Sequence, residues 1–387
     1  MLERLRHLRR DERGISLLFV GGGLIAFVSA TTLAVDVGML MTARSQAQNS
    51  ADAGALAGAT ALVFNSFTDR SAGGPAVQSG VNAARSNLVM AGAPSVLTSD
   101  VTFPKDPAGN PTRVKVDVYR ATARGNPVPT LMAQLFGVRT ADIVATATAE
   151  ASWADEETCV MPFTIPDKWK ENSDASGKPD GPWTPSSTFD MYDKKGKLLT
   201  NPDIYQQGVT SYDPTADKGL ELVLKENNGS NVAPSMYNPW DLPGSVGGND
   251  YRNNIANCNT NIFQIGQMMP PENGNMVGPT QQGVTALIAK DPNASWNTTC
   301  NCVVGSGVPG ISPRIAVVPL YNPVVYAQGQ QSGKNAQLQM VNYLGFFIEG
   351  MQGNDVMGRI TPIAGLLSGG GGPVPTGVFP KYIRLVQ

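Results

Sequence analysis

Apolar residues run almost without interruption from Gly14 to Val35, with no charge among them. Counted from Ile15, the run is about 21 residues, or ~31 Å as an α-helix, close to the ~30 Å hydrocarbon core of a bilayer. The pattern predicts one transmembrane helix over 15–35. Helical character continues past it. No proline occurs from Asp36 to Phe64, and 47–59 is rich in alanine, the strongest helix former. Ala47, Ala51, Ala55 and Ala59 recur every four residues, with Gly54 and Gly58 on the adjacent row. Unbroken from Ile15 to Phe64, the helix would measure ~75 Å, of which ~44 Å leaves the membrane. Its small-residue stripe lets another backbone approach closely. The stripe is therefore expected to dock a sheet or another helix, with packing on its own domain as the larger part.

Ser71-Ala72-Gly73-Gly74-Pro75 breaks the pattern, and Val77, Val81, Ala84 and Leu88 then mark a second amphipathic helix. Arg113 to Tyr119 alternates strictly, as a half-buried strand does. Pro129 opens a short helix over Leu131, Met132, Leu135 and Phe136 that Gly137 ends, and Ile143 to Ala151 alternates again. Beyond Thr158 the apolar segments are short: Leu220–Leu224, Ile311–Leu320, Tyr343–Ile348, Arg359–Ile363 and Tyr382–Val386. Polar stretches at 171–188 and 227–254 separate them, a short helix is expected over Gln281–Ala289, and Gly369–Gly372 reads as a flexible link. The fold class is α+β. A long N-terminal helix with a small antiparallel sheet is followed by a β-rich, disulfide-stapled domain. The expected boundaries are 1–14, a basic cytoplasmic stub; 15–35, the transmembrane helix; 36–155, helix and sheet; and 156–387, the exported β-rich domain.

Charge fixes the direction. Arg4, Arg6, Arg9, Arg10 and Arg13 precede the apolar run, and such residues stay in the cytoplasm, so the bulk of the chain is expected outside it. Cleavage after Val28-Ser29-Ala30 is the competing reading, disfavoured because the run continues through Val35. Charged residues are only 16% of the chain and nearly balance at −2, with no basic stripe for nucleic acid. Gly (42) and Pro (29) are frequent and concentrate after residue 155, which favours short strands and many turns. The four cysteines, Cys159, Cys258, Cys300 and Cys302, fall on the exported side, where disulfides persist. Two bridges with three pairings are open. Cys300–Cys302 is disfavoured because one intervening residue strains the bridge. The expectation is Cys159 joined to one of that pair and Cys258 to the other. A zinc site is weak: the only histidine, His7, lies in the stub, and the cysteine spacing is unlike a zinc ribbon.

No catalytic set emerges. His7 is on the wrong side for Ser-His-Asp or Cys-His schemes, and the glycine runs lack a phosphate-loop lysine. Asp213-Pro214-Thr215-Ala216-Asp217 has calcium-loop flavour, yet Leu224 stands where the bidentate glutamate belongs, so a solvated turn is expected. Asn228, Asn293 and Asn297 begin N-x-S/T triplets that read as plain loops. Trp153, Trp169, Trp183, Trp240 and Trp296 read as core or interface anchors. No cofactor or metal is expected, and the chain reads as a non-enzyme.

Arg13-Gly14, then Ala34-Val35-Asp36-Val37-Gly38, then Ala43-Arg44-Ser45-Gln46-Ala47-Gln48-Asn49-Ser50-Ala51-Asp52-Ala53-Gly54-Ala55-Leu56-Ala57-Gly58-Ala59, resembles the N-terminal segment of Tad (tight adherence) Flp-pilus assembly proteins of the TadG-like kind. The likeness is dense over roughly 13–62. It implies a pilin-like helix and a bacterial inner-membrane protein, single-pass, with its N-terminus cytoplasmic and its bulk periplasmic or at the cell surface. The implied partners are other Tad and Flp pilus proteins, pilin-like helices and the inner membrane, with no nucleic acid and room for an oligomer. Two features of relatives are missing. Asp174-Ala175-Ser176-Gly177-Lys178 lacks the second serine of a D-x-S-x-S metal motif, and Phe19 stands where processed pilins carry glutamate. The resulting expectation is a docking component of pilus assembly. The alternatives are a membrane-tethered envelope hydrolase and a surface adhesin.

Overall fold

One helix, α1 (Glu12–Phe64), carries the chain from the apolar run into the first folded unit. The computed structural model describes residues 12–227, 229, 231–272, 274, 276–309, 311–331, 337–368 and 374–386. Arg4, Arg6, Arg9, Arg10 and His7 lie outside the described residues, as does the side chain of Arg13. So does Gly369–Gly372, read above as a flexible link. Among the described residues α1 alone is long and apolar enough to cross a membrane, and no protein packs on its most apolar stretch. Leu17, Leu18, Phe19, Leu24, Ile25 and Phe27 all stand exposed. Water penalises such a surface and lipid does not.

The chain divides into two compact units. The first comprises residues 1–62, 68–150 and 384–387, and the second 63–67 and 151–383. In the first, α2 (Pro75–Ser86) begins on Pro75, whose fixed φ suits a helix start. It buries Val77, Val81 and Ala84 as expected, but it ends two residues before Leu88, which is exposed. Short β1 (Val101–Thr102) pairs with β2 (Arg113–Arg120), and β2 with β5 (Ile143–Trp153); between them β3 (Val128–Pro129) and β4 (Thr140–Ala141) form a separate hairpin. The β2–β5 register sets Val114 against Ala149, Val116 against Ala147 and Val118 against Ala145. All six are buried, so this face of the sheet is paved with valine and alanine.

The second unit is built on β7 (Phe163–Pro166), β8 (Glu221–Glu226), β9 (Met236–Pro239), β14 (Ile315–Tyr321), β15 (Leu338–Gln352) and β16 (Asp355–Ile360), beside which short β6 (Glu156–Glu157) pairs with β10 (Phe263–Gln264), β12 (Ser295–Asn297) with β13 (Cys302–Val304), and β11 (Met268–Met269) with β15. Neighbours run β15-β14-β7-β9-β8-β16, and β16 pairs again with β15. The sheet therefore closes on itself as a six-stranded barrel. Closure requires strands to bend, and register shifts occur in β15 between Ile348 and Gly350 and in β14 between Leu320 and Tyr321. A closed barrel leaves no free strand edge between its members. Its core is aromatic and aliphatic, with Phe163, Tyr237, Trp240, Phe263, Tyr343 and Phe346 all fully buried. Trp240 Nε1 donates to Met161 O at 2.9 Å, satisfying its only donor.

Three helices accompany the barrel, α3 (Gly247–Ala256), α4 (Val277–Ala289) and α5 (Pro323–Gln331). The second covers the helix expected over 281–289, while α3 lies in a stretch expected to be a polar loop. Its three buried residues include Tyr251 and Ile255, four apart, and that single apolar row among asparagines sufficed because α4 offers Val284 and Leu287 to the same core cluster. The α+β reading, with a long apolar N-terminal helix and a β-rich disulfide-bearing part, describes the molecule.

Candidate functional site

The six residues expected to dock a partner helix are all buried: Ala47, Ala51, Ala55 and Ala59 are fully inaccessible, and Gly54 and Gly58 are covered with them. The cover comes from their own unit. A Cβ placed on Gly54 would lie 2.9 Å from Ala84 Cβ and 3.2 Å from Val116 Cγ1. One on Gly58 would lie 2.7 Å from Val114 Cγ1 and 3.2 Å from Ala76 O. Ser50 Oγ, also buried, donates to Ala84 O at 2.8 Å. Thus α1 is pressed against α2 and the valine face of β2, with no room for a side chain between. The stripe is packed within its own unit, the larger part of the expectation, and its close neighbours are both a helix and a sheet. The physical reason is the one that suggested docking, since small residues permit close approach and the nearest flat surface in sequence takes the place.

At the foot of this packed half, Asp36 is buried although it follows the apolar run directly. Its carboxylate accepts the backbone N–H of Leu131 at 2.9 Å and of Met132 at 3.1 Å, and that of Ala133 as well. These amides lead into a one-turn helix, Ala133–Phe136, which Gly137 ends at φ 85°. The short helix expected there is present, but its apolar side chains face outward. Sequence reasoning missed the role of Asp36; the signal was an acid placed just beyond a hydrophobic run.

The disulfides correct an expectation about their pairing. Cys159 is bonded to Cys258 (Cα–Cα 4.4 Å) and Cys300 to Cys302 (Cα–Cα 5.2 Å). Asn301, at φ 47°, takes the left-handed conformation that folds the chain back between its neighbours, and a hairpin of Ser295–Asn297 with Cys302–Val304 holds the turn. The local bridge cross-links almost no chain. Cys159–Cys258 closes a separation of 99 residues, and a loop of that length is worth about 4–5 kcal/mol of unfolded-chain entropy.

Two of the second unit's cavities include residues singled out in the sequence. One, of about 510 Å³, is lined by Cys300, Cys302, Ile311, Ile315, Val317 and Ile363. Its ammonium, Lys218 Nζ, donates to Phe64 O at 2.8 Å, and burial lowers the lysine's pKa. The other, about 560 Å³, is polar and bordered by Asp174 and Asp190. Burial raises the Asp190 carboxyl. The carboxylate of Asp174, however, accepts Ser176 N, Ser176 Oγ and Lys178 N within a tight turn. Asp193 accepts Lys195 N and Lys197 N in the same way. The D-x-S-x-S-like segment is therefore a turn of the same build as 193–197. Asp213 likewise holds a turn, accepting Thr215 N and Ala216 N, while Asp217 pairs with Lys168. Among the described residues no group of three acid, histidine or cysteine side chains is placed to hold a metal.

Two buried polar centres tie the barrel together, and neither was legible in the sequence. Asp167 accepts Ser211 Oγ at 2.7 Å, Tyr205 Oη at 3.2 Å and Asn342 Nδ2 at 3.4 Å, and its burial raises the carboxyl pKa. Arg314 donates to the carbonyls of Ile348, Asp291, Ala294 and Glu349. Both join segments far apart in sequence. Of the tryptophans, Trp169 and Trp240 are fully buried core residues, and Trp153, Trp183 and Trp296 are partly exposed.

Residues 14–61 match the family model of putative Flp pilus-assembly TadE/G-like proteins. The match ends three residues short of the end of α1. It bears out the resemblance and supports a role in Flp pilus assembly, a family setting that suggests a non-catalytic part. No curated protein and no solved structure matches the chain.

Proposed function

We propose that this chain is a non-enzymatic, membrane-anchored component of Flp pilus assembly. In this reading α1 crosses the inner membrane once with its N-terminus in the cytoplasm, and both folded units work on the far side. The observation that carries it is a coincidence of two independent boundaries. The family match at 14–61 falls on the single helix that joins a bare apolar segment to a packed one. With the alanine–glycine stripe occupied, contacts to other pilus proteins fall to the apolar segment inside the bilayer and to the outer surface of the second unit.

The test is purification of the tagged full-length protein from membranes of piliated cells after crosslinking. Pilus assembly proteins are expected among the bound partners, and deletion of the gene is expected to abolish pili. Normal piliation in the deletion strain, with no pilus component captured, would sink the proposal. Orientation is read separately: a reporter fused after Gln387 should be active only outside the cytoplasm.

A further inference from the structure

The segment tied to Asp36 has an unusual surface. Val128 pairs with Ala141 and Pro129 with Thr140, and Thr130 N donates to Arg139 O at 3.1 Å, so 128–141 is a hairpin. Its tip exposes Leu131 (59%), Leu135 (76%), Phe136 (67%) and Val138 (53%). From Ala121 to Ala141 there is no acidic residue, and Arg139 stands exposed beside the apolar tip. A surface of this make-up is poorly suited to water.

Its position says what covers it. Asp36 is the residue after Val35, where the uncharged run of α1 ends, and one helical residue advances only ~1.5 Å. Three tip amides are hydrogen-bonded to that one carboxylate. The tip is thus fixed at the level at which α1 leaves the hydrocarbon core. On α1 itself Leu33, Val35, Val37 and Met41 are also exposed around this level. The surrounding medium there is the acyl–headgroup boundary, which accepts apolar side chains and an arginine near phosphates.

We infer that the 131–138 tip is a second membrane contact, seated in the lipid boundary of the leaflet from which α1 emerges. The inference rests on the proposed membrane insertion of α1. Asp36 then acts as a positioning residue: it fastens the tip to the helix, and two contacts with one leaflet restrict how α1 tilts and rotates.

The experiment uses the full chain in vesicles of phosphatidylcholine and phosphatidylglycerol. All four native cysteines are in disulfides, so a fluorophore can be placed on one introduced thiol at a time. Three variants are compared: Phe27→Cys in the apolar run, Leu135→Cys in the tip and Ala108→Cys, an exposed loop position of the same unit. A lipid spin label near the headgroup should remove about half of the Leu135→Cys emission and leave Ala108→Cys unchanged. Quenching of Phe27→Cys by a deep label, with Leu135→Cys open to aqueous iodide, would overturn the inference while leaving the anchor intact. A Leu135→Cys probe shielded from both iodide and lipid labels would mean that a second copy of the chain covers the tip, which also overturns it. No lipid quenching at either position would remove the anchor itself and the inference with it.

Discussion

The two folded units are built from opposite materials. In the first, the face shared by α1, α2 and the sheet is alanine, glycine and valine, from Ala47 and Gly58 to Val116 and Ala147. Among the described residues the largest fully buried side chains all lie in the second, including Trp169, Trp240, Tyr343 and Phe346. The carboxyls that burial pushes upward, Glu157, Asp167, Glu171, Asp190 and Asp203, are in the second unit as well. In the first unit, by contrast, the N–H and hydroxyl of Ser71 hold Asp69 below its usual range. One unit is stabilised by how closely backbones approach, the other by how much large apolar surface leaves water. The first should therefore be sensitive to added atoms, and the second to removed atoms and to buried charge.

All five tryptophans fall in the second unit, so their fluorescence follows it alone. The largest expected effect is on pH. Burial, opposed by one N–H from Thr158, lifts the Glu157 carboxyl from 4.5 to about 8. Over that window the folded state keeps a proton that the unfolded state releases. Stability of the second unit should fall as pH rises from 4.5 to about 8 and level off above. The ceiling is about 5 kcal/mol. Urea unfolding across this window should show the slope, and Glu157→Gln should flatten it; an unchanged slope in the variant would assign it to other groups.

Next is Trp240→Ala, which empties a fully buried site and leaves Met161 O without its donor. A loss of about 3–5 kcal/mol is expected by the same unfolding measurement. In the first unit the corresponding sensitivity is to addition. Gly58→Leu should cost about 1–3 kcal/mol, because even its Cβ meets Val114. Hydrogen exchange of the β2 amides should accelerate while the tryptophan signal keeps its midpoint. If Gly58→Leu left β2 exchange untouched, the close-packing account of this unit would be wrong. The smallest effect is Asp36→Ala, worth about 1–2 kcal/mol locally. It should be seen as faster exchange at the 131–133 amides with little change elsewhere.

Legibility followed the same division. The apolar run, the alternation of 113–119 and the four-residue alanine spacing were readable because each is a local period imposed by helix or strand geometry. The stripe was recognised as a close-packing face with its own domain as the larger neighbour, yet the elements that meet it were not, since an alanine row fits many flat surfaces besides its own valine sheet. Gly247–Ala256 was missed because its buried row is too sparse to show a period. The disulfide pairing was misjudged because a left-handed Asn301 makes a one-residue bridge feasible, and spacing alone carries no φ angle.

By itself, then, the sequence determined the apolar segment, the rod that continues it, the α+β class and the Tad-like segment, all features written in residues adjacent along the chain. Only the tertiary structure decided that β15 and β16 close a barrel, that Asp167 and Arg314 tie distant segments, and that Asp36 holds a loop about a hundred residues away (Leu131 is 95 positions on). Those depend on which segments meet, and a local pattern of hydrophobic and polar positions states what a surface will tolerate without stating which surface arrives.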